Sequence, residues 1–351
     1  MPRAIITPVL IAHGGAGGRP PASDRASRRH GILAAVQRGA DILRGGGSAL
    51  DAVVATVVAL EDDPLFNAGY GSVLTTAGQV EMDAAVMTAT RPHPHDDPAS
   101  IINQARWVLA PAGPGRAPAD AVEVNAGGVV LVSRVRNPIV LARAVMERTP
   151  HLLLGGPGAE RLAREAGLRL CRPADLISQR ARERWLASRG EFDVVPPLAR
   201  DADAHGTVGA VALDARGDLA AATSTGGVSG KLPGRIGDSA IVGAGLFANA
   251  FGGASATGEG EAIMRVALCR EAVVGLARLR AQAAAERAIA MVAEATAAHA
   301  GVIVVDSRGG LGYAHNAEVM EMALFHPVEG FLHRVVEPLA MPARKVRAPR
   351  R

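Results

Sequence analysis

Aromatic side chains are scarce in this 351-residue chain, which has six Phe, two Trp and two Tyr. With so few rings for bases to stack on, nucleic-acid recognition is disfavoured. Cysteine is as rare, with Cys171 and Cys269 alone. Both lie in apolar stretches, which fits reduced, buried thiols and not a disulfide framework or a metal site. No run is long and apolar enough to span a membrane. Met1–Ala12 lacks the charged region and cleavage site of a signal peptide, so the expected location is the cytoplasm. Charge of one sign is lacking too. The formal net charge is +4, and much of the excess sits near 343–351, in Arg344, Lys345, Arg347, Arg350 and Arg351. Such a basic end reads as a solvated tail. What the chain has instead is small residues and a 48% hydrophobic fraction, enough for a large core with closely packed layers.

The hydrophobic pattern predicts a buried strand over Pro8–Ala12 and a helix over Arg25–Leu43, with Ile32, Leu33, Val36 and Ile42 on one face. Ser48 and Asp51 form a capping pair for a helix over Ala49–Leu60. Pro64 and the glycines after it impose an irregular loop up to Gly71. Ser72–Thr75 and Gln79–Met87 read as strands. From about 88 to 122 prolines recur at 92, 94, 98, 111, 114 and 118, as expected of an inserted surface loop. Its His93, His95, Asp96 and Asp97 read as solvated side chains, because no further ligands stand at metal-site spacing. A strand over Gly127–Ser133 follows, then helices over Pro138–Glu147, Ala159–Ala166 and Ala174–Ser188. Residues near 190–206 carry Pro196, Pro197 and four acidic residues, and read as a mobile linker.

Thr207–Leu213 and Leu219–Ser224 flank the turn Asp214–Asp218, a hairpin signature that recurs at Val302–Asp306 and Leu311–Ala314. Two Ala-rich helices, Gly260–Leu279 and Ala283–Ala298, lie between the hairpins. Strands, then helices, then strands favour an α+β fold with helices outside antiparallel sheets.

Several residues in this frame carry chemistry. Cutting Gly206–Thr207 would place a hydroxyl nucleophile and a free α-amine on one residue, a known route to an activated nucleophile. A Gly-Thr pair at a strand start is also common and says little alone. The hairpin returns Thr223 and Thr225 toward Thr207, where a hydroxyl can orient the nucleophile or simply belong to a Ser/Thr turn. Arg235 and Asp238 flank glycine in a Pro/Gly loop. They either recognise the carboxylate and ammonium of an α-amino acid or pair with each other on the surface. Ala256–Glu261 opens a helix, and its N–H groups with the Thr257 hydroxyl suit an anion or oxyanion. The run lacks the lysine and spacing of a P-loop. His13–Gly18 is followed by Arg19-Pro20-Pro21, against a dinucleotide fingerprint.

Taken together, the blocks IAHGGAG (11–17), PLFNAGYGSV (64–73), EMDAAVM (81–87), NPIVLARAVM (137–146), HGTVGAVALD (205–214), AATSTGG (221–227), KLPGRIGDS (231–239) and ATGEGE (256–261) resemble the plant-type asparaginase / isoaspartyl peptidase family of N-terminal-nucleophile hydrolases. They span most of the chain in that family's order. The resemblance implies a four-layer αββα sandwich forming one domain over 1–351. It implies self-cleavage into 1–206 and 207–351, and pairing of the cleaved units as a dimer. It implies hydrolysis of L-asparagine and of β-aspartyl dipeptides. Within the same family, glycosylasparaginase and threonine endopeptidase activity are the alternatives, and an uncleaved amino-acid-binding protein is the alternative outside catalysis.

Carried over by motif, Thr207 is the nucleophile freed by cleavage after Gly206, and Thr225 is its partner hydroxyl. Arg235 grips the substrate α-carboxylate and Asp238 its α-ammonium, with a contact from the Gly260 carbonyl. Thr257 and the Gly258 N–H form the oxyanion hole, and Asn67 positions the reacting end. The resemblance implies no catalytic cofactor. It implies a structural sodium ion held by backbone carbonyls of Leu60, Glu61, Asp63, Phe66, Ala68 and Tyr70, and a glycine loop at His13–Gly17 that supports self-cleavage. The chain departs from the family's pattern at Thr88-Ala89, at Ala240 and at Glu259, whose carboxylate is expected to point out of the site.

Overall fold

The computed structural model describes residues 6–91, 107–109, 122–188 and 206–339. Most of the expected insertion, the expected linker up to 205 and the basic tail lie outside the described residues, as do His93, His95, Asp96 and Asp97.

Strand β1 (Val9–Gly17) leads into helices α1 (Ala22–Arg44) and α2 (Ala49–Asp62). Strands β2 (Met82–Thr90), β3 (Trp107–Leu109) and β4 (Val122–Val132) follow, then α3 (Pro138–Arg148), β5 (Leu153–Gly155), α4 (Gly156–Glu165) and α5 (Gln179–Ala187). The second half opens with the hairpin β6 (Val208–Leu213) and β7 (Leu219–Thr225), then β8 (Leu246–Asn249) and β9 (Gly252–Gly258). Helices α6 (Gly260–Val266), α7 (Leu268–Gly275) and α8 (Ala281–Thr296) precede β10 (Ala300–Asp306), β11 (Leu311–His315), β12 (Val319–His326) and β13 (Gly330–Val336).

Among the described residues the strands form two sheets. One has nine strands in the order β13-β12-β1-β6-β7-β2-β4-β3, with β5 beside β4; the other has four, β11-β10-β9-β8. Strand alternation assigns the layers. Along β1, Leu10 and Ala12 pack with Ile32, Val36, Val53 and Val57 of α1 and α2. Val9 and Ile11 point the other way, to Ile303, Val305 and Leu246 of the second sheet. The outer face of that sheet, with Ala254, Ala256, Val302 and Val304, packs on Leu268, Val273, Ile289 and Val292 of α7 and α8. The order helix, sheet, sheet, helix is the expected αββα sandwich.

The small residues let these layers approach closely. A Cβ on Gly127 of β4 would sit 2.4 Å from the Ala142 carbonyl oxygen of α3. The expected cap holds, as Ser48 Oγ accepts the Asp51 N–H at 3.0 Å and donates to Asp51 Oδ2 at 2.6 Å. Loss of such a cap typically costs about 1 kcal/mol.

Several expectations are corrected. Ser72–Thr75 is not a strand. Its Leu74 carbonyl accepts from Gly230 and its Thr75 N–H donates to Gln79, so its bonds go to loops. The predicted insertion begins and ends in sheet, since residues 88–90 finish β2 and Val122 opens β4, and within it 107–109 pair with β4. The helix expected over Ala174–Ser188 is a 3-10 turn at Pro173–Leu176 followed by α5. The helix expected over Gly260–Leu279 breaks at Ala267, whose φ is 50°, a left-handed conformation that costs an L-residue about 1–2 kcal/mol. The break has a cause. Cys269 N–H and Arg270 N–H donate to the carbonyls of Ala244 and Gly243, which starts α7 afresh. Among the described residues no helix is long and apolar enough to cross a membrane. Cys269 is buried as expected, whereas Cys171 is only half-buried.

Candidate active site

The β6–β7 hairpin fixes the centre of the site. Its register pairs Val208 with Ser224, so the residues one step beyond, Thr207 and Thr225, come to lie side by side. Thr207 Oγ1 donates to Thr225 Oγ1 at 3.2 Å, and both residues are buried. The Thr225 hydroxyl is itself oriented, because it accepts the Gly227 N–H at 2.9 Å. A third hydroxyl, Ser239 Oγ, lies 3.5 Å from Thr207 Oγ1. Thr223 faces the same way two residues back, and donates to the Ser239 carbonyl at 2.9 Å. Ser224, between them, points to the opposite face of the sheet as strand geometry requires.

Asn67 reaches this centre from the loop after α2. Its Nδ2 donates to the Gly227 carbonyl at 2.7 Å, and its Oδ1 accepts the Val73 N–H at 3.0 Å. Its backbone carbonyl accepts the Gly226 N–H at 3.1 Å. Asn67 therefore straps the end of β7 in place. Gly206 lies against it, since a Cβ there would meet the Asn67 Cβ at 3.4 Å.

Arg235, Asp238 and Gly260 converge. A Cβ on Gly260 would sit 2.7 Å from Asp238 Oδ1 and 2.9 Å from Arg235 Nη2. Arg235 and Asp238 do not form the surface ion pair that the sequence left open. Glu261 takes the guanidinium instead in a two-point grip, Nε to Oε1 at 2.9 Å and Nη2 to Oε2 at 2.8 Å. That leaves Asp238 buried with its Oδ2 unpaired among the described residues. Burial pushes its pKa up to about 7, against the favourable field of Arg235. An unpaired buried carboxylate is costly, and an arriving ammonium would relieve the cost.

The oxyanion candidates stand at the end of β9. Thr257 is fully buried and its Oγ1 accepts the Ala16 N–H at 3.1 Å. That bond occupies a lone pair and leaves the hydroxyl proton to donate. Gly258 follows with φ 132°, and a Cβ on it would sit 2.5 Å from the His299 carbonyl oxygen. Glu259 points away as expected, its Oε1 accepting the His299 N–H at 2.8 Å. In the loop after α2, Gly69 and Gly71 pack directly on backbone carbonyls. A Cβ on Gly69 would lie 2.4 Å from the Glu61 carbonyl oxygen, and one on Gly71 would lie 2.0 Å from that of Phe66 and 3.1 Å from that of Asp63.

Three supporting residues carry no role in the sequence reading. Ser239 and Glu261 lie inside the motifs KLPGRIGDS and ATGEGE, which was the available signal. Buried Asp83 accepts the N–H of Leu131 at 2.9 Å and that of Gly237 at 3.5 Å, behind the Arg235–Asp238 loop. His13, opposite Gly209 in the β1–β6 pairing, lies 2.9 Å from Ser255 Oγ. Burial lowers its pKa to about 3, with the Thr207 backbone offsetting part of the shift, so the imidazole is neutral.

Glu61 is fully buried on the other face of the sheet. Its Oε1 accepts from Ser224 Oγ at 2.6 Å and from the Ile139 N–H at 3.0 Å. Burial raises its pKa to about 8. A carboxyl group whose pKa is raised on folding loses stability as pH climbs from the unfolded value of about 4.3 through the folded one. Glu61→Gln keeps both accepted bonds without the ionisation. Its melting temperature is expected to fall less than that of the wild type between pH 5 and pH 8, and parallel melting curves across that range would refute this assignment.

A family model described as asparaginase matches residues 6–93 and 119–329, leaving the middle of the Pro-rich region outside the match. A protein from Mus musculus named isoaspartyl peptidase/L-asparaginase is 41% identical over 269 residues, 76% of this chain and 71% of that protein. Its namesake from Homo sapiens is 42% identical over 270 residues, 76% of this chain and 75% of its own length. A Danio rerio protein of the same name is 38% identical over 328 residues, 93% of this chain and 94% of its own length.

Proposed function

The chain belongs to the asparaginase family, and on that premise we propose that it is a self-processing threonine amidohydrolase. It cleaves L-asparagine to aspartate and ammonia, and it hydrolyses β-aspartyl dipeptides. The observation that carries this reading is the buried Thr207–Thr225 hydroxyl pair at 3.2 Å, with Ser239 Oγ at 3.5 Å and its neighbour in sequence, Asp238, holding an Oδ2 that is unpaired among the described residues.

Processing begins when Thr207 Oγ1 adds to the Gly206 carbonyl carbon. The Gly206–Thr207 C–N bond breaks as an ester forms, and water hydrolyses the ester to a carboxylate, the free hydroxyl and a free α-amine. That amine, with a reference pKa of about 7.7–8.0, is a usable base near neutral pH. It takes the Thr207 hydroxyl proton, and the oxygen attacks the β-carbonyl of a substrate held by Arg235 and Asp238. Thr257 and the Gly258 N–H steady the oxyanion, and each such donor is typically worth about 3–4 kcal/mol. The protonated amine passes its proton to the departing ammonia or amino acid. Water then releases aspartate from the β-aspartyl ester on Thr207.

Backbone carbonyls of Leu60, Glu61, Asp63, Phe66, Ala68 and Tyr70 would hold a structural sodium ion, a reading supported by the close approach of the Glu61, Asp63 and Phe66 carbonyls to Gly69 and Gly71. Such an ion would supply a fixed positive charge that holds the loop carrying Asn67 together. The cleaved units pair as a homodimer, as the resemblance implies, and the two cysteines, neither in a disulfide, support a cytoplasmic location.

Intact mass after incubation is expected to resolve two fragments, 1–206 and 207–351, the second beginning at Thr207. Ammonia is expected from asparagine, and free amino acid from β-aspartyl dipeptides. A chain that stays whole and binds amino acids without product would overturn the proposal. Faster turnover of glycosylated asparagine than of either substrate would move it to the glycosylasparaginase branch.

A further inference from the structure

A cavity of about 570 Å³ opens beside Gly206. It meets the site at Gly14, Gly15, Asn67 and Gly206, and includes none of Arg235, Asp238, Thr257 or Gly260. The cavity therefore opens on the Gly206 side of the centre, apart from the residues expected to hold the α-amino-acid end of a substrate. A substrate anchored at Arg235 and Asp238, with its β-carbonyl at Thr207, must project whatever follows the scissile C–N bond away from that anchor. Gly206 is where the cavity provides the room.

The wall of this cavity is markedly basic. Arg19, Arg25, Arg28, Arg29, Arg180 and Arg184 line it, against Glu318, Glu321 and Glu337. Much of the acidic complement is already engaged. Glu321 is held by Arg28 at 2.9 Å and by His333 at 3.2 Å, and Glu318 lies 3.6 Å from Arg19. Arg28 is further pinned by donating to the Gly14 carbonyl at 3.0 Å and to that of Leu65. Arg180 pairs with Asp24. Among the described residues Arg25 and Arg29 pair with no carboxylate, and both are exposed. Arg25 only donates its Nε–H to the Pro20 carbonyl, at 3.2 Å.

We propose that this cavity is the leaving-group subsite, and that its arginine wall selects β-aspartyl peptides whose leaving part is acidic. The inference rests on the hydrolase reading above and adds a substrate preference to it. Every leaving amino acid carries one α-carboxylate that guanidinium groups attract. A glutamate or aspartate there brings a second, which Arg25 and Arg29 are placed to meet. A lysine brings a cation into the same basic field and is disfavoured.

The test compares β-aspartyl-glutamate, β-aspartyl-alanine and β-aspartyl-lysine on the wild-type protein at low and high salt. At low salt, kcat/KM is expected to favour the glutamate over the lysine peptide by roughly tenfold, the scale of electrostatic steering. The ratio should shrink as salt rises, because these side chains are exposed to solvent. Arg25→Glu with Arg29→Glu should bring the ratio to one or below. Equal turnover of the three peptides, or a preference that survives the double substitution, overturns the inference. Turnover of asparagine with charge-blind peptide turnover removes this inference alone. Absence of product from every substrate removes the hydrolase reading and this inference with it.

Discussion

Thr207→Ala is expected to give a chain that remains whole at 36.0 kDa and releases no ammonia from asparagine. Two functions fail together because one oxygen performs both. In the proposed mechanism Thr207 Oγ1 attacks the Gly206 carbonyl and later the substrate. Removing the nucleophile of a hydrolase costs on the order of a millionfold in kcat, leaving only what binding and the oxyanion donors supply. Alanine also removes one member of the hydroxyl pair at 3.2 Å, but the strand beneath is unaffected, since Val208–Leu213 pair through the backbone. The variant should therefore fold with the thermal stability of the uncut wild-type chain. Thr207→Ser separates chemistry from packing, because it keeps the hydroxyl and should keep some processing. Denaturing gels and an ammonia assay read both outcomes. A split chain or undiminished turnover in Thr207→Ala would place the nucleophile elsewhere.

Asp238→Asn should cut kcat/KM by a factor corresponding to about 2–5 kcal/mol, the usual cost of losing one partner of a buried charge pair. The pH profile tells more than the size of the loss. Burial raises the Asp238 pKa to about 7, and only the ionised carboxylate attracts the substrate ammonium. In the wild type, kcat/KM should therefore fall as pH drops through about 7. The Thr207 amine must also be deprotonated, and its reference pKa of about 7.7–8.0 adds a second proton to the same limb. With asparagine at position 238 the acid limb should flatten to the slope of one proton. Stability should move the other way. A carboxylate whose folded pKa is raised loses stability as pH climbs toward that value, so Asp238→Asn should melt higher than the wild type at pH 8 while working worse. An unchanged acid limb, or a variant less stable at pH 8, would remove Asp238 from the ammonium site.

The parts of the site legible in the sequence are those that local geometry decides. Five residues, Asp214 to Asp218, make a turn whose register brings Thr225 back beside Thr207, so the hydroxyl pair followed from the hairpin. The Arg235–Asp238 loop was legible either as a candidate place for an amino acid or as a surface ion pair. What Arg235 touches was not, because its partner Glu261 lies beyond β8 and β9 and meets it only after the sheets pack. Strand β12 was missed for a similar reason. Met320, Met322 and Leu324 face the other sheet while Ala323 and Phe325 face the helices, so no apolar-polar alternation marks a strand buried on both sides. At Ala267 the residue misleads outright. Alanine is the best helix former, and the break there is imposed by the carbonyls of Gly243 and Ala244 from another part of the chain.

The strand order of the large sheet has a consequence for the nicked molecule. Strands β1, β2, β3, β4 and β5 precede Gly206, while β6, β7, β12 and β13 follow it. In the sheet they interleave, with β1 between β12 and β6, and β7 against β2. Opening one peptide bond therefore leaves two chains woven through a common sheet, joined along three strand boundaries. Parting them means tearing the sheet, so the halves should travel together through any native separation. The character of unfolding changes nonetheless. The intact chain melts as one molecule, whereas the nicked one melts into two, and its midpoint acquires a dependence on protein concentration. A single cut after Gly206 would thus turn a unimolecular equilibrium into an association, with Thr207 at the new end.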